Sequence, residues 1–429
     1  MCDTFVALGN RTLGGKPIFG KNSDRDPNEP QIFVFMDNRG VLREKVKTTY
    51  IEIEPYEVKY RIFLSKPVWL WGGEMGINEC GVAIGNEAVF TKIKYKDLGL
   101  TGMDMIRIAL ETSSTSFEAV KKIIELNEKY GQGGNCGYEK KIKYHNSFLI
   151  SDSNEAYVLE IVDKYFAYKK VKEVYNISNK LSIKNDYDEI HKDLNKNISF
   201  EKYFSNKIYT YFSGSIIREK RGRELLEKFE KHSLDSFIKI LSDKGVNKFA
   251  SMRNISMNAG GGLVSSQTTS SMIVEYGKRN IIWFTMSPCP EISLFKPTFF
   301  VEKSPLDFKF EKELIKIWKF NNLFFRKYIE NYEENEKKIK PLKEKYQNKI
   351  FELIHKKSLE SLSDEELNKI TLESFEIEKE YREMGFKLME DTKKKNYFYF
   401  TNYWNKENIK LLKEEKDQEL IDLYKKLLF

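Results

Sequence analysis

Met1-Cys2-Asp3-Thr4 places a thiol at the second position of the chain. Aminopeptidases trim Met when a small residue follows, and trimming would leave Cys2 with a free α-amine beside its own thiol. An α-amine titrates at about 7.7–8.0 and a thiol at about 8.5, so the two exchange a proton readily near neutrality. The amine can then serve as general base for its own side chain, a nucleophile and base on one residue without a histidine. A cysteine at position 2 is more often an incidental small residue, so the reading depends on what lies beside it. The run Thr4–Gly9, Asn10–Lys16, Pro17–Asn22 predicts a β-hairpin centred near Leu13–Gly14. Paired positions in such a hairpin sum to a constant, here about 24 to 26, which sets Cys2 opposite Asn22–Asp24. Strand pairing alone thus brings Lys21 and Asp24 to the nucleophile. A cation there favours the thiolate, and a carboxylate holds the α-ammonium.

Other candidates carry less. His145 precedes a strand in Tyr144-His145-Asn146 and reads as a structural histidine. Cys80, Cys136 and Cys289 sit in glycine- or proline-containing segments, where inert thiols are the default. Gly131–Gly137 has the glycine content of an anion cradle but lacks the Lys-Ser/Thr of a phosphate loop, so it reads as a turn near the site's rim. Gln267, Thr268 and Thr269 could line a pocket, although strand hydroxyls are ordinarily structural. Four scattered cysteines and four histidines, with no Cys-x-x-Cys or Cys/His cluster, argue against zinc. No metal and no cofactor is expected.

The elements that must position these residues are β-rich at first. Thr4–Gly9, Pro17–Lys21, Gln31–Met36, Tyr50–Glu54 and Arg61–Ser65 read as strands between turn residues. Two helices follow, one capped by Thr101 with Asp104 three residues on, the other opened by the box Thr115-x-x-Glu118 and stopped at Gly131. Strands resume at Ser147–Ser151, Ala156–Val162 and Phe166–Val171. Residues 184–250 turn to charged helical patterns, with Ser233 capping a helix that ends at Gly245. Residues 253–300 return to β-formers, with a hairpin of Ser271–Tyr276 and Ile281–Met286. From residue 301 the chain is charge-balanced and glycine-poor, with Trp318, Phe320, Phe324 and Tyr328 near helical spacing. The expected organisation is a catalytic α+β domain over 1–300, with a charged helical insertion at about 184–250. A helical C-terminal extension over 301–429 packs on or beside it.

Composition bounds the partners. The 429 residues carry 72 Lys and Arg against 64 Asp and Glu, a net charge of +8 with no basic block, so nucleic acid is not an expected partner. Mean hydropathy is −0.54 and the apolar runs are strand-sized, far short of the roughly 20 residues that span a bilayer. No secretory signal is visible, and free thiols suit a reduced, cytoplasmic setting. A homo-oligomer is compatible with the sequence.

The opening MCDTFVALGNRT and GKPIFGKNSDRDPNEPQ resemble the secernin branch of the C69 peptidases, within the cholylglycine-hydrolase-like N-terminal-nucleophile hydrolases. The resemblance continues collinearly through Trp71–Val89, Tyr130–Tyr138, Tyr144–Glu160 and Tyr175–Ile183 to Ser265–Tyr276 and Ser287–Pro297. It implies a four-layer αββα sandwich, with Cys2 as nucleophile and Lys21 and Asp24 matching a basic-x-x-Asp pattern. Asn86 in Gly85-Asn86-Glu87 and Asn179 in Ser178-Asn179 are implied as amide donors to the oxyanion, stabilising charge that develops only during acyl transfer. Two features depart from the family: Lys21 stands where arginine is usual, and Ser256-Met257-Asn258 stands where cysteine and histidine are. Arg253 is the nearest candidate for a further electropositive group. The implied activity is a cysteine dipeptidase or amidohydrolase on a small amide. An acyltransferase of the same fold and a non-catalytic secernin-like scaffold are the alternatives.

Overall fold

A computed structural model describes residues 1–245, 249–262, 264–355 and 357–428. The first strand, β1 (Cys2–Ala7), turns through Gly9–Arg11 into β2 (Ile18–Arg25). They pair antiparallel with Cys2 opposite Ser23 and Thr4 opposite Lys21, inside the window set by the hairpin argument. All residues of β1 and β2 are buried, because both faces of their sheet are covered.

That sheet has six strands, in the order Val174–Ile177, β1, β2, Gln267–Glu275, Ile281–Phe284, Lys296–Thr298. A second sheet has eight: Glu189–Ile190, Tyr165–Lys170, Ala156–Val162, His145–Ser151, Ala83–Val89, Met75–Asn78, Ile62–Pro67 and β3 (Gln31–Met36). Every pairing in both is antiparallel. The two sheets meet across Phe33 stacked on Phe284, with ring centroids 4.7 Å apart, and across the Ser65–Ser270 hydroxyl pair at 3.2 Å. The architecture is therefore mixed α+β around antiparallel sheets.

Helices α1 (Gly102–Thr112) and α2 (Ser116–Tyr130) pack on the eight-stranded sheet. Thr101 and Asp104 form a full capping box. At Thr115 only half of the expected box forms, because the Glu118 carboxylate accepts from Ser114 N and Oγ instead. Helices Ser215–Lys228 and Leu234–Leu241 lie on the six-stranded sheet. The second stops at Leu241, short of the expected Gly245: its amphipathic stripe ends there, and Asp243 caps Gly245 N in a turn instead. The expected strand Tyr50–Glu54 shrinks to Glu52–Ile53, paired only with Val46–Lys47 at the surface.

After Thr298 the described residues form helices without further strands: Glu311–Ile329, Tyr332–Ile354, Asp364–Met389, Tyr399–Glu414 and Gln418–Leu428. They grip the β-rich part through polar anchors as well as apolar faces. Trp318 Nε1 donates to Thr269 O at 3.0 Å, Trp404 Nε1 donates to Ala259 O at 3.1 Å, and Lys296 pairs with Glu378 in the interior. Among the described residues, no helix is long and apolar enough to cross a membrane.

Candidate active site

Cys2 stands at the start of β1, 5% exposed, on the wall of a cavity of about 170 Å³. Its Sγ accepts from Asp24 N at 3.5 Å and lies 3.9 Å from Glu74 Oε2. Its backbone N, the atom that Met1 removal would turn into the α-amine, donates to Asn179 Oδ1 at 2.8 Å. Arg218 donates to the same oxygen at 2.6 Å and pairs with Asp3 at 2.8 Å, all fully buried. Two donors converging on Asn179 Oδ1 fix the orientation of that amide, and its Nδ2 donates to Ala88 O at 3.0 Å. Asn179 thus anchors the Cys2 nitrogen through its amide oxygen.

Lys21 comes from β2 and crosses between the sheets. Its Nζ donates to Asn86 O at 2.6 Å and to Glu87 Oε1 at 3.2 Å. Thr4 Oγ1 donates to the same Glu87 oxygen at 2.5 Å. Gly85 is what lets the lysine through, since a Cβ there would fall 2.4 Å from Lys21 Cδ and 3.0 Å from Thr4 Oγ1. Burial opposes the Lys21 charge, but Cys2, Glu87 and Glu74 outweigh it and raise its pKa, so the ammonium persists. Burial also pushes Glu87 up to about 7, against the pull of Lys21.

Asp24 accepts from Thr268 Oγ1 at 2.6 Å, while its other oxygen is buried without a hydrogen-bond partner. Burial raises it to about 7, with the chain's terminal ammonium pulling it back. A bulge between Thr268 and Ser270 produces this contact by holding Thr268 opposite Asp24 and Ser270 opposite Ser23. The displaced Thr269 donates to Gln31 Oε1 at 2.6 Å. Asn86 is 1% exposed, with its amide beside Asn146 at 3.0 Å. Turned over, its nitrogen would donate to Glu74 O at 3.1 Å and Oε2 at 3.3 Å. Cys2 and Asp24 line the cavity; Lys21, Asn86 and Asn179 support it from behind.

The Cys2 thiol is pushed up to about 11 by burial, against the downward pull of Lys21 and the terminal ammonium. With Met1 attached, it is a protonated thiol at neutral pH. The remaining sequence candidates lie elsewhere or serve packing. His145 is buried, bonded to Thr91 Oγ1 at 2.8 Å, and lowered by burial to about 4. Arg253 is exposed. Cys289 is buried and Cys80 exposed, while Cys136 and Gly137 do reach the cavity wall. Among the described residues, no group of three or more His, Cys, Asp or Glu could hold a metal ion.

Sequence reasoning missed three groups. Arg25 bridges Glu29 and Glu74, at 2.6 Å to each, beside the thiol. Glu74 sits within a glycine-rich segment, and Arg218 sits within the charged insertion. Asp24-Arg25-Asp26 was the available signal for Arg25. For Arg218 no local signal exists, because its partner Asp3 is 215 residues away.

The strand that begins at Cys2 lies in one of two facing antiparallel sheets, with the buried Lys21 reaching from beside it to Glu87 in the other and Asn179 holding the Cys2 nitrogen. Residues 11–262, more than half of the chain, match the family acyl-coenzyme A:6-aminopenicillanic acid acyl-transferase, and the protein belongs to that family. Among solved structures, it is similar to the conjugated bile acid hydrolase of Clostridium perfringens, with 14% identity, 70% of this chain and 92% of that one covered, and a TM-score of 0.45. It is also similar to the penicillin V acylase of Agrobacterium tumefaciens, with 13% identity, 72% and 89% covered, and a TM-score of 0.43.

Proposed function

We propose that this chain is a cysteine amidohydrolase whose nucleophile is Cys2 after loss of Met1, built as the four-layer αββα sandwich and acting on a small amide. The family span begins beyond Cys2, so the nucleophile rests on geometry. The observation that carries it is the pairing of two contacts on one residue: Cys2 N held by Asn179 Oδ1 at 2.8 Å, and Cys2 Sγ facing a cavity while accepting from Asp24 N at 3.5 Å. In this reading the freed amine takes the thiol proton, and the sulfur attacks the amide carbonyl. The C–N bond breaks, and the proton passes to the leaving amine. Water then cleaves the thioester to the acid and returns the thiol. Lys21 supplies positive potential for the thiolate, and Asp24, through its unpartnered oxygen, holds the α-ammonium. Asn86 is the proposed oxyanion donor, with Asn179 keeping the amine in place. A dipeptide, as in the secernin-like C69 peptidases, is the proposed substrate type, and a reducing cytoplasm the proposed setting.

A second reading, transfer of the acyl group to an amine in place of water, is favoured by the family's description. Intact mass of the purified protein, before and after a cysteine-directed electrophile, tests both readings at their shared step. We expect a Met1-free chain that gains one label at Cys2, and Cys2→Ala to abolish labelling and turnover. An active protein that retains Met1, or a label confined to Cys136, would sink the assignment. Added amine acceptors that divert product from acid to amide would select the transferase.

A further inference from the structure

Between residues 200 and 217 the exposed side chains are of two kinds only. The helices Phe200–Phe204 and Lys207–Phe212 and the start of Ser215–Lys228 cover that stretch, and each side chain they expose there is a lysine or a large apolar group. In the middle helix, Lys207-Ile208-Tyr209-Thr210-Tyr211-Phe212, the one buried residue is Thr210. Ile208 is 70% exposed, Tyr211 67% and Phe212 59%. A surface helix ordinarily turns an apolar stripe to the core and a polar face to water, whereas one that is apolar nearly all round belongs inside a core or in lipid. This helix is tied to the body at its ends. Asn206 N donates to Phe90 O at 3.0 Å, and Arg218, which also fixes Asn179 beside Cys2, donates to Ser213 O at 2.7 Å.

Charge narrows the occupant. Lys202 and Lys207 belong to this stretch, and Lys92 and Lys94 come beside it, with Lys92 Nζ donating to Lys202 O and Tyr203 O at 3.3 Å each. All four lysines are exposed, and among the described residues none of them forms an ion pair. The nearby carboxylates of Glu201 and Glu219 both pair with Lys180 instead. A second copy of this chain seated on the same face would set unmatched lysines against unmatched lysines, and like charges brought together in an interface cost affinity. The complement is an anionic surface with an apolar layer behind it. Tyrosine suits that boundary, because its ring is apolar and its hydroxyl stays wet. Lysine suits it too, laying its stem along lipid while the ammonium reaches the headgroups. An acidic protein would need a pocket for each projecting ring; a bilayer boundary needs none.

We propose that the helix Lys207–Phe212 and the turns flanking it are a docking surface for an anionic lipid bilayer. Ile208, Tyr211 and Phe212 enter the boundary between headgroups and acyl chains, while Lys92, Lys94, Lys202 and Lys207 meet the acidic headgroups. The chain then lies on the membrane without crossing it. The Tyr209 ring lies 6.0 Å from that of Phe90, which lines the Cys2 cavity, so docking sets that cavity beside the lipid surface.

The test uses the full-length protein and vesicles of phosphatidylcholine, alone or mixed with phosphatidylserine, separated by flotation. We expect binding to the phosphatidylserine vesicles that weakens as salt screens the headgroup attraction. Lys202→Gln and Lys207→Gln should each weaken it about fivefold, the scale of one basic residue near an anionic surface. Ile208→Ser combined with Phe212→Ser should weaken it about tenfold or more, with the melting temperature and Cys2 labelling as in the parent, since both side chains already face water. Absence of flotation with phosphatidylserine vesicles overturns the inference, and so does binding that survives the paired substitution. Capture on immobilised polyglutamate without vesicle binding would assign the face to an acidic protein and overturn it too. Self-association of the parent in light scattering, lost in the paired variant, would assign it to a second copy with the same result. Cys2 labelling is read separately, so the loss of either reading leaves the other standing.

Discussion

Met1 ties the α-nitrogen of Cys2 into a peptide bond, while burial, against the pull of Lys21 and the Met1 ammonium, pushes the thiol up to about 11. A thiol whose pKa is raised carries little thiolate below that value, and the fraction rises about tenfold per pH unit until the pKa is reached. Protein kept from losing Met1 should therefore label at Cys2 with a log rate rising almost linearly from neutral pH to about 11. The Met1-free form should label fast near neutrality and level off earlier. Stopped-time alkylation across pH, followed by mass, checks this; identical profiles for the two forms would remove the amine from the mechanism. The same scale shows what the sequence could carry. Lys21 and Asp24 were legible because strand register is local arithmetic. Glu74, Arg218 and Glu407 were not, because each reaches Cys2 or its cavity across long stretches of chain, through contacts that leave no spacing to read.

Between elements, the critical approach is that of β2 to the strand Ala83–Val89, where Lys21 threads past Gly85 to reach Glu87. The lysine is fully buried and its carboxylate partner lies in the facing sheet, so this contact sets how far apart the sheets sit at the site. A methyl at position 85 would meet Lys21 Cδ at 2.4 Å, with Thr4 Oγ1 at 3.0 Å preventing escape sideways. Gly85→Ala should cost about 1–3 kcal/mol by overpacking, read from denaturant unfolding. It should slow Cys2 labelling as well, since Lys21 can no longer hold its place. Unchanged stability and labelling would mean that the sheets yield freely there and that the lysine is not a spacer. Helix and strand identities in this region were readable from caps and alternation. Their ends were less so. Leu241 ends its helix because the apolar stripe runs out, not because a glycine follows, and the Thr268–Ser270 bulge that aims Thr268 at Asp24 has no sequence mark.

Across the whole molecule, the described residues after Thr298 are helical, and the composition break near residue 301 pointed to helix there, yet charge balance could not show how deeply those helices are built in. Trp318 is fully buried and bonded to Thr269 O, which belongs to the same strand as the bulge beside Asp24. Lys296, in the last strand of the six-stranded sheet, gives its buried ammonium to Glu378 of the helix Asp364–Met389 and to Thr285 O. Removing residues 301–429 would expose the Phe284 face, take Glu378 away from Lys296, and open the cavity wall at Tyr403 and Glu407. Breaking one buried ion pair by removing a partner costs about 3–5 kcal/mol, and truncating a buried Trp to Ala costs a similar amount. Either is a large share of the roughly 5–15 kcal/mol that holds a domain folded. Residues 1–300 expressed alone should therefore be insoluble or lack a cooperative melting transition, whereas Trp318→Ala in the full chain should fold with a clearly lowered melting temperature. A truncated chain that melts cooperatively near the full-length temperature would show that the extension is dispensable to the fold, and would confine its part in this protein to the wall it lends the pocket.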